Sequence, residues 1–204
     1  MSFSAPELNP QRTWVSPKRH SSLTSRSTGA TKVHIFDHTL RGRRDDSSAK
    51  TIKPVSSVHI DQAFTSAPHR AAYELGPEIA VALTQKRYQV LNVWRPLGTV
   101  TNDPLAVADT RSIPNADLVA IPVVYPDTPA VETYSLRASG TDQHEWWYCD
   151  GMRSDEVLVF KTFESEGREG RARFCAHSSF THPDFAHAER ARESVEVRAL
   201  VFYE

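Results

Sequence analysis

Residues 156–203 contain three segments with the features of β-strands: EVLVFKT (Glu156–Thr162), RFCAHSS (Arg173–Ser179) and SVEVRALVFY (Ser194–Tyr203). Apolar, β-branched and aromatic residues recur in these short runs, and such residues favour strands over helices. The stretch between the first two segments carries two glycines, which is typical of a turn. The C-terminal part of the chain is therefore predicted to be β-structure.

The same pattern continues toward the N-terminus. Further strands are predicted at Lys32–His38, Val55–Asp61, Tyr88–Arg95, Asp117–Val124, Glu132–Leu136 and Glu145–Cys149. The best helix candidate is Gly76–Arg87, because Pro77 fits a first helical turn and Glu78 suits a helix N-terminus. A short helix is also expected within His182–Arg192. Many short strands with few helices predict a mainly β, double-stranded β-helix or jelly-roll fold.

Length and charge narrow the class of protein. The chain has 204 residues, a net charge of −1 and a Ser/Arg-rich start, so we expect a disordered tail over 1–30 and a single domain over 31–204. This charge balance argues against nucleic-acid binding by bulk charge, and no apolar run is long enough to span a membrane. Two cysteines make no disulfide framework and predict a reducing, cytoplasmic location.

A His-x-Asp sequence ends the predicted strand Val55–Asp61. Alternate residues of a strand point to one face, so His59 and Asp61 can reach the same metal ion while Ile60 packs on the other side. An imidazole and a carboxylate, joined by a second histidine, form the two-histidine, one-carboxylate set that holds non-haem iron with open coordination positions. When His59 and Asp61 are considered alone, the simpler alternative is a hydrogen-bonded structural histidine on a strand, with no metal.

The C-terminal segments contain a candidate third metal ligand, followed by candidate residues for binding a carboxylate. His177 lies in a strand-like segment and is favoured as the third ligand, because Arg192-Glu193-Ser194 follows it. An arginine fork suits a planar carboxylate, and Ser194 on the same face adds a hydrogen bond, which together would clamp the far carboxylate of 2-oxoglutarate. His144 remains the main alternative third ligand. His69, His182 and His187 are weaker candidates because loops or helices are expected around them.

Arg95 is a further candidate for cofactor binding. It ends the predicted strand Tyr88–Arg95, where it could bind a second carboxylate or the substrate, with a structural salt bridge as the alternative. The aromatic run Trp146-Trp147-Tyr148 could line a substrate pocket or belong to the core.

Several longer motifs resemble one known family. They are FDHTLRGR (36–43), VHIDQ (58–62), NVWRPL (92–97), DPLAVAD (103–109), HEWWY (144–148), DEVLVFKTFES (155–165), AHSSF (176–180) and RESVEVRALVF (192–202). In this order they resemble the fungal hydroxylase/desaturase family, which includes the aspergillic-acid-cluster hydroxylase, gibberellin desaturase-like proteins and relatives of the cephalosporin methoxylase component. The resemblance covers roughly residues 31–204.

The resemblance implies an Fe(II)- and 2-oxoglutarate-dependent dioxygenase on a double-stranded β-helix. By similarity, His59, Asp61 and His177 are the iron ligands and Arg192 clamps 2-oxoglutarate. The expected reaction uses dioxygen to hydroxylate or desaturate a small secondary metabolite. Family members carry a longer region before the FDHTLRGR motif, so the chain is expected to be N-terminally shortened.

Two other functions stay open at this stage. A shortened, catalytically inactive chain could serve as a partner subunit or a small-molecule-binding sandwich. A cupin-like metal protein could use His144 and no 2-oxo acid. The sequence names neither the substrate nor the choice between hydroxylation and desaturation, and a homo- or heterodimer is among the expected assemblies.

Overall fold

In the computed structural model, the residues described are 17–42, 53–125, 128–138, 143–183 and 192–204. They form three helices: α1 (Pro17–Thr28), α2 (Ser66–Leu75) and α3 (Pro77–Thr84). The ten strands are β1 (Lys32–Arg41), β2 (His59–Ile60), β3 (Tyr88–Pro96), β4 (Leu105–Ala108), β5 (Leu118–Tyr125), β6 (Thr128–Leu136), β7 (Trp146–Tyr148), β8 (Leu158–Glu164), β9 (His177–Ser179) and β10 (Ser194–Phe202). Two single turns of 3-10 helix lie at Thr110–Ser112 and Asn115–Asp117.

The strands build two antiparallel sheets. One has four strands in the order β1-β10-β3-β8, and the other has six in the order β5-β6-β2-β9-β4-β7. Strands distant in sequence are neighbours in both sheets, as in β2 and β9, and this crossing of connections is the jelly-roll pattern. The mainly β, jelly-roll prediction is confirmed.

An apolar core joins the two sheets. Trp94 and Phe160 from the four-stranded sheet pack with Val100, Met152 and the partly buried Leu105 of β4. The strands β3 and β10 are buried over almost their whole length, because they lie in the centre of the four-stranded sheet. Both therefore can send side chains into the space between the sheets.

The helices α2 and α3 cover one end of that core. Ala67, Ala71 and Ala80 pack with Tyr88 and Leu200 of the central strands. Helix α3 is shorter than predicted, and α2 was not predicted from the sequence. Pro68 lies in the first turn of α2, where a missing amide donor is tolerated, so its presence did not exclude a helix. No helix within the described ranges has the length and apolar character needed to cross a bilayer.

Helix α1 occupies part of the segment expected to be a disordered tail. It begins at Pro17, which suits a first helical position, and ends before Gly29, whose φ of +72° favours glycine. The Ser25 hydroxyl donates to Ala30 O over 2.8 Å and tethers the helix to the start of β1. Residues 1–16 lie outside the described ranges, as does most of the segment 182–192, in which a short helix was predicted.

Strand β4 was also missed, because LAVA is only four residues long and follows Pro104. The predicted strands Val55–Asp61 and Arg173–Ser179 shrink to two and three residues, β2 and β9. These short strands pair with each other at one position, where His59 lies opposite His177. Local sequence does not reveal this pairing, because 116 residues separate the two strands.

Candidate metal centre

Three potential metal ligands meet between the sheets. The donor atoms of His59, Asp61 and His177 all lie within 4.8 Å of one another. His59 Nε2 is 3.4 Å and His177 Nε2 is 3.9 Å from Asp61 Oδ1. Of the residues that the structure describes, these form the sole group of three or more that could hold a metal ion. The arrangement follows from the β2–β9 pairing and from the two-residue spacing of the His-x-Asp sequence.

Both histidines direct Nε2 toward Asp61 and use Nδ1 for a hydrogen bond to the backbone. Nδ1 of His59 faces Ser57 O at 2.9 Å, and Nδ1 of His177 faces Cys175 O at 3.3 Å. A carbonyl oxygen only accepts hydrogen bonds, so each Nδ1 carries the proton and donates it. The lone pair of each Nε2 is then directed toward Asp61 and is available to a metal.

Burial sets the protonation of His177. The ring is enclosed, with Phe160 at a centroid distance of 4.7 Å, and burial is the main cause that lowers the pKa of His177 to about 4. The negative charge of Asp61 acts in the opposite direction but does not outweigh burial. His177 is therefore neutral at physiological pH, which is the form that binds metal.

Asp61 is held as a carboxylate. Burial opposes its ionisation, but the positive charge of Arg198, the electrostatic effect of the neighbouring His177 and His59, and a hydrogen bond from Asn92 outweigh burial and hold the pKa of Asp61 well below the usual range. Arg198 Nε and Asn92 Nδ2 each donate to Asp61 Oδ2 over 2.8 Å. Two imidazoles and one carboxylate are a ligand set that fits ferrous iron, and they occupy one side of the site.

A small cleft opens beside the two histidines of this group. His59 and His177 line it together with Arg41, Arg192 and Glu196. Burial raises the pKa of Glu196, whereas the charges of Arg198 and Arg41 act in the opposite direction. The cleft therefore combines a potential metal site with two guanidinium groups.

Arg192 is prepared for an anion. Only 5% of the residue is exposed, and burial lowers its pKa to about 10, so the guanidinium stays charged near neutral pH. The Nη1 of Arg192 donates to Asp103 O over 2.6 Å. The guanidinium carbon Cζ lies 5.2 Å from the ring centre of Trp94. Nε of Arg192 and Oγ of Ser194 are buried without a hydrogen-bond partner among the described residues. A carboxylate bound in the cleft would satisfy Arg192, which lines it, so the residues present fit 2-oxoglutarate. Ser194 does not line the cleft itself, but it lies two residues from Glu196 on β10, which does.

Arg95 is not brought to this cleft. It lies next to Trp94 on β3, and adjacent residues of a strand point to opposite faces. Its Nη1 donates to Ser154 O over 3.4 Å, and Arg95 is absent from the residues that line the cleft. The geometry gives no support for a cofactor-binding role of Arg95.

The other histidines lie elsewhere. His144 Nε2 lies 2.9 Å from Asp117 Oδ2, so its side chain is engaged by a carboxylate outside the ligand group. His69 belongs to helix α2, and His182 Nε2 lies 3.0 Å from the hydroxyl of Tyr148. His187 lies outside the described ranges. The alternative that used His144 as third ligand therefore lacks geometric support.

Sequence reasoning missed the residues that surround Asp61. These are Asp37 and Thr39 of β1, Asn92 of β3, and Glu196 and Arg198 of β10. A signal existed in SVEVRALVF, where Ser194, Glu196 and Arg198 alternate with valines in an otherwise apolar strand. Polar residues at alternate positions of a buried strand share a face and need partners there.

Comparison with known proteins agrees with this geometry. A family model described as "Oxidoreductase/YMDC permease-like domain" matches residues 16–202. The hydroxylase/desaturase CTB9 of Cercospora beticola is 37% identical over 201 residues, which cover 89% of this chain and 61% of that protein. The hydroxylase/desaturase efuI of Hormonema carpetanum is 33% identical over 204 residues, which cover 89% of this chain and 68% of that protein.

A solved structure of the iron and alpha-ketoglutarate-dependent endoperoxidase NvfI is also similar. It superposes with a TM-score of 0.81 at 32% identity, covering 91% of this chain and 67% of that one. The chain spans 61% and 68% of the lengths of CTB9 and efuI. From its matched motifs, fold and site geometry, this chain belongs to the fungal hydroxylase/desaturase family, whose members include alpha-ketoglutarate-dependent dioxygenases.

Proposed function

We propose that this chain is an Fe(II)- and 2-oxoglutarate-dependent oxygenase that hydroxylates or desaturates a small secondary metabolite. The convergence of His59, Asp61 and His177 within 4.8 Å, at the wall of a cleft that also holds Arg192, carries this proposal. The names of its relatives, hydroxylase/desaturase and alpha-ketoglutarate-dependent dioxygenase, support the same reaction class.

In this proposal His59 Nε2, His177 Nε2 and Asp61 Oδ1 hold ferrous iron. Bound iron and 2-oxoglutarate together supply the activation of dioxygen that removes a hydrogen atom from the substrate. The chain's own contribution is to keep the His177 imidazole neutral, to keep the Asp61 carboxylate charged, and to leave one side of the site open.

Arg192 and Ser194 would bind the carboxylate of 2-oxoglutarate farthest from the metal. The buried Nε of Arg192 and Oγ of Ser194 are donors that a carboxylate satisfies. Arg41 adds a second positive charge at the cleft, which favours a dianionic cosubstrate over a neutral one. The aromatic face of Trp94 fixes the plane of the Arg192 guanidinium.

An anaerobic titration tests the metal and cosubstrate assignment. Addition of ferrous iron and then 2-oxoglutarate is expected to produce the visible charge-transfer band of the chelate in the parent protein. His177→Ala should lose the band, whereas His144→Ala should keep it, because His144 contacts Asp117 instead. Absence of the band in folded, metal-loaded parent protein would overturn the assignment.

Decarboxylation separates the enzyme from an inactive relative. Succinate formation from 2-oxoglutarate, measured without substrate, is expected for the parent and should be abolished in His59→Ala. If the parent forms succinate no faster than His59→Ala, the chain is a binding or partner subunit and the enzyme proposal fails.

We further propose a cytoplasmic enzyme with no nucleic-acid partner, acting as a homo- or heterodimer. Cys149 and Cys175 are both free thiols, the state maintained in a reducing compartment. The edge strand β5 exposes Ile121 and Val124, which offers an apolar surface to a second subunit. Light scattering of the purified chain, and localisation of a tagged protein, would check these two points.

A further inference from the structure

The two oxygens of the Asp61 carboxylate have different surroundings. Oδ2 accepts hydrogen bonds from Arg198 Nε and Asn92 Nδ2, each over 2.8 Å. Oδ1 is the oxygen that faces the imidazoles of His59 and His177, at 3.4 and 3.9 Å. The carboxylate is therefore fixed in one rotation, with one oxygen already engaged by the protein.

Arg198 is itself held from several sides. Its Nη1 donates to Asp37 Oδ2 over 2.6 Å and to Thr39 Oγ1 over 3.2 Å, and its Nη2 donates to Glu196 Oε1. Each of its three nitrogens thus has a different partner, and a planar guanidinium so engaged can neither rotate nor withdraw without breaking several bonds.

The backbone register places these groups in a row. Arg198 of β10 lies opposite Asn92 on β3 and opposite Asp37 on β1. Three adjacent strands therefore present a carboxylate, a guanidinium and an amide side by side beneath Asp61. Two of these strands, β3 and β10, are the central strands of their sheet.

We propose that Arg198 and Asn92 are positioning residues that make Asp61 a one-oxygen metal ligand, an inference that rests on the proposed function. With Oδ2 engaged, only Oδ1 is offered to the metal. Coordination through both oxygens would use a position that the two-histidine, one-carboxylate set leaves open for cosubstrate and dioxygen. Arg198 and Asn92 thus preserve the open face without contacting the metal or the cleft's ligand.

Cobalt(II) binding to the full chain tests this role without turnover. Asn92→Ala removes one donor to Asp61 Oδ2. Arg198→Lys removes the other, because one ammonium cannot reproduce the fork by which Arg198 reaches Asp61, Asp37 and Glu196. We expect Kd for Co²⁺ to rise on the order of 10- to 100-fold, the usual effect of losing support behind a ligand. The visible absorption of bound Co²⁺ should also weaken, as a second oxygen raises the coordination number.

Gln89→Ala is the matched control. Gln89 lies on the same strand as Asn92 and also donates an amide hydrogen bond to a buried carboxylate, that of Glu164. This variant should bind Co²⁺ with the parent's affinity and spectrum. An equal loss of affinity in Gln89→Ala and Asn92→Ala would overturn the inference, because the effect would then be general destabilisation.

Other outcomes are equally decisive. Parent-like affinity and spectrum in folded Arg198→Lys and Asn92→Ala would overturn the positioning role and leave the proposed function intact. If circular dichroism shows that Arg198→Lys does not fold, Asn92→Ala alone decides, since it keeps the charge of Arg198. Failure of the parent itself to bind Co²⁺ would overturn the proposed function, and with it this inference.

Discussion

Two carboxylates, the largely enclosed Asp61 and the fully buried Glu164, each accept an amide hydrogen bond from strand β3 and are satisfied in different ways. Both oxygens of Glu164 accept hydrogen bonds: Oε1 from Arg87 Nε at 3.2 Å, and Oε2 from Arg87 Nη2 at 2.9 Å and Lys161 Nζ at 3.1 Å. Gln89 adds a further bond to Oε2. Asp61 has such donors on one oxygen only, Oδ2.

This contrast separates a structural carboxylate from a ligand. The protein supplies hydrogen-bond donors to both oxygens of Glu164, and these donors offset the cost of burying the carboxylate. At Asp61 the protein leaves Oδ1 without such a donor and facing Nε2 of His59 and of His177. A carboxylate oxygen left open beside two imidazole nitrogens is the arrangement that the proposed metal site requires.

Asp61→Asn tests the proposed role of Asp61 as a metal ligand and should have the largest effect on metal binding. The amide retains an oxygen for Arg198 but removes the charge that a divalent metal needs, so Co²⁺ affinity should fall by more than about 100-fold, beyond the loss expected from supporting residues. Isothermal titration of the folded variant checks this. Retention of parent-like binding would show that Asp61 is not a ligand.

Glu164→Gln should act on stability instead. Removing the charge leaves Arg87 without its bidentate partner, and Arg87 is 27% exposed, so we expect a loss of about 3 kcal/mol, the low end for a broken buried pair. Urea denaturation measures the free energy of unfolding, and Co²⁺ titration serves as the control. Weakened metal binding at unchanged stability would contradict the assignment of Glu164 as structural.

The pH dependence of stability sharpens the same point. Burial opposes the ionisation of Glu164, but its bonds from Arg87, Gln89 and Lys161 outweigh burial and lower its pKa from 4.5 to about 2. A lowered folded-state pKa gives stability that is present above 4.5 and is lost as the pH falls toward 2. The difference in unfolding free energy between parent and Glu164→Gln should therefore shrink as the pH falls from about 5 toward 2. A constant difference over that range would show that the Glu164 charge is not the cause.

Lys161→Met should have a smaller effect. Lys161 is one of several donors to Glu164 and is 22% exposed, so its loss should lower the unfolding free energy by about 1 kcal/mol or less. Thermal denaturation should show this small loss of stability. Titration with Co²⁺ should give the parent's affinity. A loss as large as that of Glu164→Gln would mean that the donors to Glu164 are not redundant.

The two regions also differ in how far sequence could predict them. The spacing of His59 and Asp61, with His177 followed by Arg192 and Ser194, was sufficient to propose the metal ligands and the cosubstrate clamp. The support behind Asp61 was not predicted. On β3 sequence reasoning selected Arg95 for its charge, whereas the structure directs Asn92 to Asp61, because alternation along the strand turns Arg95 to the other face.

The amino-acid sequence by itself determined the strand-rich character, the jelly-roll class and the residue types that suit iron, because periodicity, composition and motif spacing are local properties. Only the tertiary structure decided that β2 pairs with β9, that β1, β10 and β3 align Asp37, Arg198 and Asn92, and that one oxygen of Asp61 stays open. Those features depend on pairing between strands far apart in the chain. Such pairing is fixed by the packing of the whole core rather than by any one segment.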